Sequence, residues 1–382
     1  MNIVYCTDSY RHLGGIQRVT IEKVNALAQI PGYNVYLIVS DNKTGDMSYP
    51  LSPKVHLIDL DINYYEDDWK STYHLIKGII FKRLKHRRRM KKVFQQIKPD
   101  IIIATGTSEK YFINSIKGSA KSIREIHFVS NYRDIMSQNK SLINKCIAKI
   151  SSIIDYRLSI SNYDLIAVLT REDKECNWSD NPKVIVMPNP STFTSSDVSA
   201  LLNKEIISIG RLTSQKDFSS LIRICDKVFS RHPDWHLSIW GEGNEHTLLS
   251  DIIEQRQLGS KITLQGLTMD IPSKLLNASI FALSSKFEGL SLVLIEAAEC
   301  GLPIVSYACP TGPKDIITDG LNGFLIPPGD EDLFADRICQ LIENEELRIS
   351  MGKEARIMAQ EFTIDKIINR WKEIFEKLVS SR

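Results

Sequence analysis

Cysteine is scarce and scattered. The seven present (Cys6, Cys146, Cys176, Cys225, Cys300, Cys309 and Cys339) are odd in number and include no Cys-x-x-Cys pair. That argues against a disulfide framework or a zinc ribbon and fits a reducing cytosol. Long apolar runs are missing too, since no stretch approaches the roughly 18 apolar residues of a membrane span. Met1–Asp8 has no basic segment ahead of its short apolar run, so it does not read as a signal peptide. No Gly-x-Gly-x-x-Gly follows that run, and no Lys-Ser/Thr follows the Gly14-Gly15 pair. The standard dinucleotide and P-loop fingerprints are therefore absent. A soluble, cytoplasmic globular protein is the expectation.

A strong net charge is also lacking, the 382 residues summing to +2. Hydrophobic residues at 43% and charged residues at 25% are ordinary for a folded chain and exclude wholesale disorder. The balance hides an asymmetry. Residues 1–190 hold 28 Lys and Arg against 19 Asp and Glu, an excess of +9, whereas residues 191–382 hold 20 against 27, or −7. A basic half joined to an acidic half suggests two domains, the first facing an anionic partner.

Short β-branched runs alternate with helical patterns from the start. Ile3–Cys6, Asn34–Val39, Val55–Leu60, Ile101–Ala104, Ile126–Val129, Leu165–Leu169 and Val184–Met187 read as strands, and Gln17–Ile30 as a helix. The pattern restarts with strands at Glu205–Ile209, His236–Trp240, Ile262–Gln265, Ile280–Leu283 and Ile304–Tyr307. Phe218–Phe229 reads as the helix after the first of these. Such alternation predicts parallel sheets covered by helices. The polar, aperiodic segment Asn189–Ser196 is the best linker candidate. Ile364, Ile367, Ile368, Trp371, Ile374, Phe375 and Leu378 form the apolar stripe of a terminal helix that needs a docking surface. The reading is α/β, two doubly wound domains over 1–190 and 191–363, with helix 364–382 docked on the first.

Several constellations carry chemistry. Gly14-Gly15 opens the first helix, where glycine lets backbone N–H groups approach an anion, or simply makes a tight turn. Gly210-Arg211 ends a strand and Lys216 follows, two cations where open α/β sheets bind ligands, or else two solvated surface charges. Glu288 and Glu296 flank an apolar run; with a helix starting near Ser291, Glu296 falls in its second turn and Glu288 in the entering loop. Thr311-Gly312-Pro313-Lys314-Asp315 reads as a helix opening, whether for capping alone or for N–H groups offered to a ligand.

Taken in order, Gly14-Gly15-x-x-Arg18, Gly210-Arg211-Leu212 with Lys216, Gly241-Glu-Gly243, Glu288-x7-Glu296 and Asp319-Gly-Leu-Asn-Gly323 resemble retaining glycosyltransferases of family 4. The resemblance implies a GT-B fold of two facing Rossmann-like domains and a nucleotide-sugar donor. The Cys309–Asp315 variant resembles bacterial surface-polysaccharide enzymes that often use UDP-linked galactose- or glucose-type sugars, with GDP-mannose the alternative. The acceptor would be a glycan or lipid-linked glycan. It also implies roles: Gly15 near the donor diphosphate, Arg211 and Lys216 clamping it, Gly210 among the donor-binding residues, Glu296 on the ribose and Glu288 on the transferred sugar. Gly241 and Gly243 belong to the donor-side motifs, and His127 would lie beside the sugar. The backbone of Thr311, Gly312, Pro313 and Lys314 would hold sugar hydroxyls. Asp315 stands where related sequences usually have Glu, so its reach is shorter. No cofactor or divalent metal is required when two cations face the diphosphate, and Asp59-Leu-Asp61 is rejected as a metal triplet. A sugar-nucleotide epimerase of the same fold and a silent nucleotide-sugar binding protein are the alternatives.

Lys77–Lys92 holds nine Lys and Arg and no acid. No nucleic-acid-binding module accompanies it. It reads as a basic surface for anionic lipid heads, centred on Arg87, Arg88 and Arg89 and holding the protein peripherally at the inner membrane face, or as a solvated helix on the first domain.

Overall fold

In β1 (Asn2–Thr7), Ile3 and Tyr5 pack on one face of a sheet and Val4 and Cys6 on the other, all four buried. A strand buried on both sides needs helices over both faces, the arrangement of a parallel α/β sheet. The computed structural model describes residues 1–9, 14–41, 49–64, 72–128, 149–150, 152–153, 160–178 and 181–380, with backbone alone for 72–79. It divides into two compact units, Met1–Pro190 with Ile364–Arg382, and Ser191–Thr363.

The first unit contains β1, α1 (Gly15–Leu27), β2 (Asn34–Val39), β3 (Val55–Asp59), α2 (Thr72–Ile97), β4 (Ile101–Ala104), α3 (Ile113–Ile116), β5 (Lys121–Ile126), β6 (Leu165–Val168), α4 (Arg171–Trp178) and β7 (Val184–Val186). Its seven strands run parallel in the order β3-β2-β1-β4-β5-β6-β7. The second unit contains β8 (Glu205–Ile209), α5 (Phe218–Arg231), β9 (His236–Trp240), α6 (His246–Gln255), β10 (Ile262–Gly266), α7 (Ile271–Leu276), β11 (Ile280–Leu283), α8 (Leu292–Glu299), β12 (Ile304–Tyr307), α9 (Pro313–Ile316), β13 (Gly323–Ile326), α10 (Glu331–Glu343) and α11 (Glu345–Ala359). Its order, β10-β9-β8-β11-β12-β13, is again all parallel. Strand order reverses at β1/β4 and at β8/β11, the switch points where such sheets receive ligands beyond their C-terminal ends.

The last helix, α12 (Ile364–Ser380), returns to the first unit. Ile367, Ile368, Trp371 and Phe375 join Ile21, Val24 and Leu27 of α1 in one core. Trp371 stacks on Phe375 with ring centroids 5.4 Å apart.

Two expectations change. The fifth strand is Lys121–Ile126 rather than a run beginning at Ile126, and Val129 lies outside the described residues. Its Lys-Ser-Ile-Arg-Glu-Ile sequence looks solvated, yet Arg124 and Glu125 are buried, each against partners of its own. Arg124 donates to the carbonyls of Ala104 (3.1 Å) and Gly106 (2.7 Å), and Glu125 accepts from Lys23 at 2.7 Å.

Secondly, the cations of α2 divide. Arg89 Nη1 donates to the carbonyls of Leu60 (2.5 Å) and Asp61 (3.0 Å), Lys85 Nζ to that of Asp61 (2.7 Å), and Lys82 Nζ to that of Asn63. Arg89 therefore holds the chain after β3, which corrects its reading as a membrane residue. Arg87 and Arg88 are exposed, with Arg87 Nε 3.3 Å from Ser115 Oγ. No helix among the described residues is long and apolar enough to cross a membrane.

Candidate functional site

At the second unit's switch point, β8 ends in Gly210-Arg211 and β11 runs into Ser284–Leu290. Glycines shape this end. Gly241 has φ +140°, and a Cβ on it would overlap the carbonyl oxygen of Gly210; a Cβ on Gly243 would overlap that of Leu212. The two strand ends are therefore pressed together, with Gly210 N bonded to Trp240 O (2.9 Å) and Leu212 N to Glu242 O (2.9 Å). Gly241 and Gly243 thus fix the loop that presents Arg211, and Arg211 itself is exposed.

Lys216 lies against Gly210, where an added Cβ would come within 3.0 Å of Lys216 Cε. Its Nζ donates to Glu288 Oε1 at 2.6 Å. An ammonium has three N–H groups, so this bond leaves two for another acceptor. Gln215 Nε2 donates to Phe287 O (3.0 Å), and Ser284 Oγ to the carbonyls of Lys216 (2.9 Å) and Asp217 (3.0 Å). The cation loop and the glutamate loop are one stitched structure.

A second stitch joins Glu288 to the turn before α9. Glu288 N donates to Pro310 O at 3.1 Å, and Thr311 Oγ1 donates to Glu288 O. Thr311 (φ +58°) and Gly312 (φ +94°) both adopt left-handed backbone, and a Cβ on Gly312 would overlap Gly289 O. Pro313 occupies the first turn of α9, while Lys314 is exposed.

Ser291 precedes α8 in extended conformation, as its placement predicts, and its hydroxyl is buried without a partner among the described residues, as is that of Ser285. Glu296 is buried and accepts from Thr192 Oγ1. Thr192 belongs to the segment read as a linker. Ser191–Ser196 is polar because its groups bond within the unit: Ser191 N to Phe362 O (2.7 Å), and Ser195 N to Glu299 Oε1 (3.2 Å).

In the first unit, Gly14 is extended (φ −170°) and Gly15 begins α1, so neither needs left-handed backbone. That overturns the tight-turn alternative. His127 follows β5, its side chain buried, with Nε2 3.1 Å from Glu125 Oε2. Burial pushes Glu125 up, but the Lys23 ammonium and its hydrogen bonds outweigh this and hold it at about 2. Burial lowers His127, which is therefore neutral near pH 7. Because Glu125 is a pure acceptor, Nε2 carries the proton and Nδ1 the lone pair. Lys23 also lies 5.8 Å from the Tyr5 ring centroid and 5.9 Å from that of Trp371. Sequence reasoning missed Lys23, Glu125 and Thr192, which carry no motif.

Asp59 and Asp61 are engaged locally: Asp61 N donates to Asp59 Oδ1 (2.7 Å), and Asn63 Nδ2 to Asp61 Oδ1 (2.6 Å). Among the described residues no group of three His, Cys, Asp or Glu could hold a metal ion.

Residues 197–358 match the family described as Glycosyl transferases group 1. An uncharacterized glycosyltransferase of Haemophilus influenzae is 28% identical, covering 94% of this chain and 96% of its own. The poly(ribitol-phosphate) alpha-N-acetylglucosaminyltransferase of Staphylococcus aureus is 24% identical over 75% of this chain and 57% of that one. Anabaena HepE, solved in complex with UDP and glucose, has a TM-score of 0.72 at 16% identity, covering 98% of this chain and 99% of its own. The two parallel sheets are the GT-B glycosyltransferase fold, and the chain is a relative of glycosyltransferases.

Proposed function

We propose that this chain is a retaining glycosyltransferase of the family-4 kind. It would move a hexose-type sugar from a UDP-sugar to a glycan or lipid-linked glycan in surface-polysaccharide assembly. The observation that carries the reading is the 2.6 Å bond between Lys216 and Glu288, stitched to the Thr311-Gly312 turn at a switch point. It puts a cation for phosphate beside a carboxylate for sugar hydroxyls. HepE, solved with UDP and glucose, and the Staphylococcus aureus relative, named for alpha-N-acetylglucosamine transfer, favour the UDP-sugar and retaining parts of the proposal.

Bond breaking between the anomeric carbon and the β-phosphate oxygen leaves the sugar oxocarbenium-like and puts negative charge on the diphosphate. Arg211 and Lys216 stabilise that charge more in the transition state than in the ground state. The acceptor oxygen bonds the anomeric carbon on the face the phosphate leaves, and its proton passes to the departing phosphate oxygen. Glu288 orients the sugar and Glu296 the ribose. Gly15 offers a helix N-terminal N–H to an anion, and His127 its neutral imidazole to a sugar hydroxyl. The two cations do the work a divalent ion does elsewhere, so turnover survives a chelator.

The test is a panel of nucleotide sugars read by thermal shift, a ligand at 100 times its Kd adding about 2.7 kcal/mol. Proton NMR of the product with an added glycan acceptor then reads the anomer. Stabilisation by UDP-hexoses and an α-linked product from an α-linked donor are expected. No stabilisation by any nucleotide sugar, an inverted product, or activity abolished by EDTA would each overturn the corresponding part.

A further inference from the structure

Helix α2 buries His86, Met90 and Phe94 against the first unit. Its other side carries Ile80, Phe81 and Leu84, exposed at 58%, 74% and 59%. At 3.6 residues per turn, Arg87, Arg88, Lys91 and Lys92 continue the same stripe, and all four are exposed. Single exposed apolar side chains are commonplace; three large ones side by side, followed by four cations and no acid, are not. That composition belongs to helices lying in the interface of a bilayer, apolar groups at the acyl boundary and cations at the headgroups.

We propose that this exposed face of α2 seats the protein on an anionic lipid surface. Ile80, Phe81 and Leu84 enter the headgroup–acyl boundary, and Arg88, Lys91 and Lys92 meet lipid phosphates. The sequence pattern put the weight on Arg87–Arg89; the structure takes Arg89 out and adds the apolar wedge. Charge complementarity selects the occupant. A second copy of this chain would bring cation against cation. A nucleic acid would use the cations and leave three large apolar groups in water. The proposal is independent of the transfer chemistry.

The experiment is co-sedimentation of the full chain with phosphatidylcholine vesicles, with and without phosphatidylglycerol. Binding to the phosphatidylglycerol vesicles alone, weakened by salt, is expected. Ile80→Ser/Phe81→Ser/Leu84→Ser should lower partitioning roughly a hundredfold at low salt, as loss of inserted apolar area requires. Arg88→Gln/Lys91→Gln/Lys92→Gln should lower it by a similar factor, about fivefold for each of the three cations at the surface. The altered side chains are exposed, and UDP binding without vesicles, measured on the same preparations, checks that the fold survives. No vesicle binding, equal binding to neutral and anionic vesicles, or a serine variant that binds like wild type would overturn the proposal. Binding to a DNA duplex but not to vesicles, or a dimer that the serine variant dissociates, would reassign the face. Failure to bind UDP with vesicle binding intact would count against the glycosyltransferase reading alone.

Discussion

Lys216 and Glu288 meet at 2.6 Å across 72 residues of sequence, and both side chains are largely withdrawn from solvent. A pair in this setting orients each partner as well as neutralising it, because the planar carboxylate fixes where the ammonium's remaining donors point.

Lys216→Ala is expected to lower kcat by about 10²–10³, the scale for losing one transition-state stabiliser, and Arg211→Ala similarly. Glu288→Gln keeps an acceptor for Lys216, so it should lower kcat while leaving the thermal midpoint close to wild type. Steady-state kinetics with the best donor check this, and unchanged kcat in the two cation variants would refute the assignment.

The glycines separate by mechanism. Gly241→Ala and Gly312→Ala each place a Cβ on a backbone carbonyl at positive φ. Strain at such positions costs about 1–3 kcal/mol before any clash is counted, so both variants should melt several degrees lower. A Cβ on Gly14 would meet only the end of the Gln17 side chain. Gly14→Ala should therefore melt like wild type and, if the N-terminus of α1 serves an anion, bind the donor less tightly. Calorimetry on the three variants distinguishes them.

The sheets were legible because β1, β2, β4, β8 and β11 are short, apolar and bounded by turn residues, a pattern with few other solutions. Arg211, Lys216 and Glu288 were legible as types at loop positions, and Glu296 as a glutamate early in the helix that follows. What brings Lys216 to Glu288 is the reversal of strand order at β8/β11, a property of the sheet and not of either segment. β5 was misplaced because Arg124 and Glu125 look solvated until Lys23 and the carbonyls of Ala104 and Gly106 are in place. Thr192 was hidden for the same reason: a polar run bonded to buried partners has the composition of a linker. Ile80 and Leu84 share a helical pattern with Met90 and Phe94, and only the packing tells which of them face solvent.

Trp371 is fully buried between α12 and α1, beside Lys23. Trp371→Ala should cost about 3–5 kcal/mol, the range for removing a large buried aromatic. The loss should appear in urea unfolding of the first unit, and a loss below about 1 kcal/mol would mean that α12 is not part of its core.

The final prediction concerns Glu109, buried at the C-terminal end of the first sheet with one oxygen lacking a partner among the described residues. Burial, with the nearby Asp8 carboxylate, pushes it up to about 7 against the opposing pull of Arg124. In the unfolded chain it titrates at 4.5. The folded state therefore binds the extra proton between these values. The contribution to stability is complete below pH 4.5 and is lost as pH rises through 7, by about 3 kcal/mol in all. The buried imidazoles act in the other direction. Burial lowers His86 to about 4 and also lowers His127, so their contribution is present above 6.5 and lost as pH falls below it. Wild-type stability should consequently be pulled down from both sides, with Glu109 the largest contributor to the decline toward neutral pH and Glu22, Glu205 and Glu299, which burial also raises, adding to it. Glu109→Gln keeps the shape and cannot ionise, so urea unfolding should show that decline flattened and the acid-side loss unchanged. An identical slope toward neutral pH in wild type and variant would show that Glu109 is ionised in the folded protein.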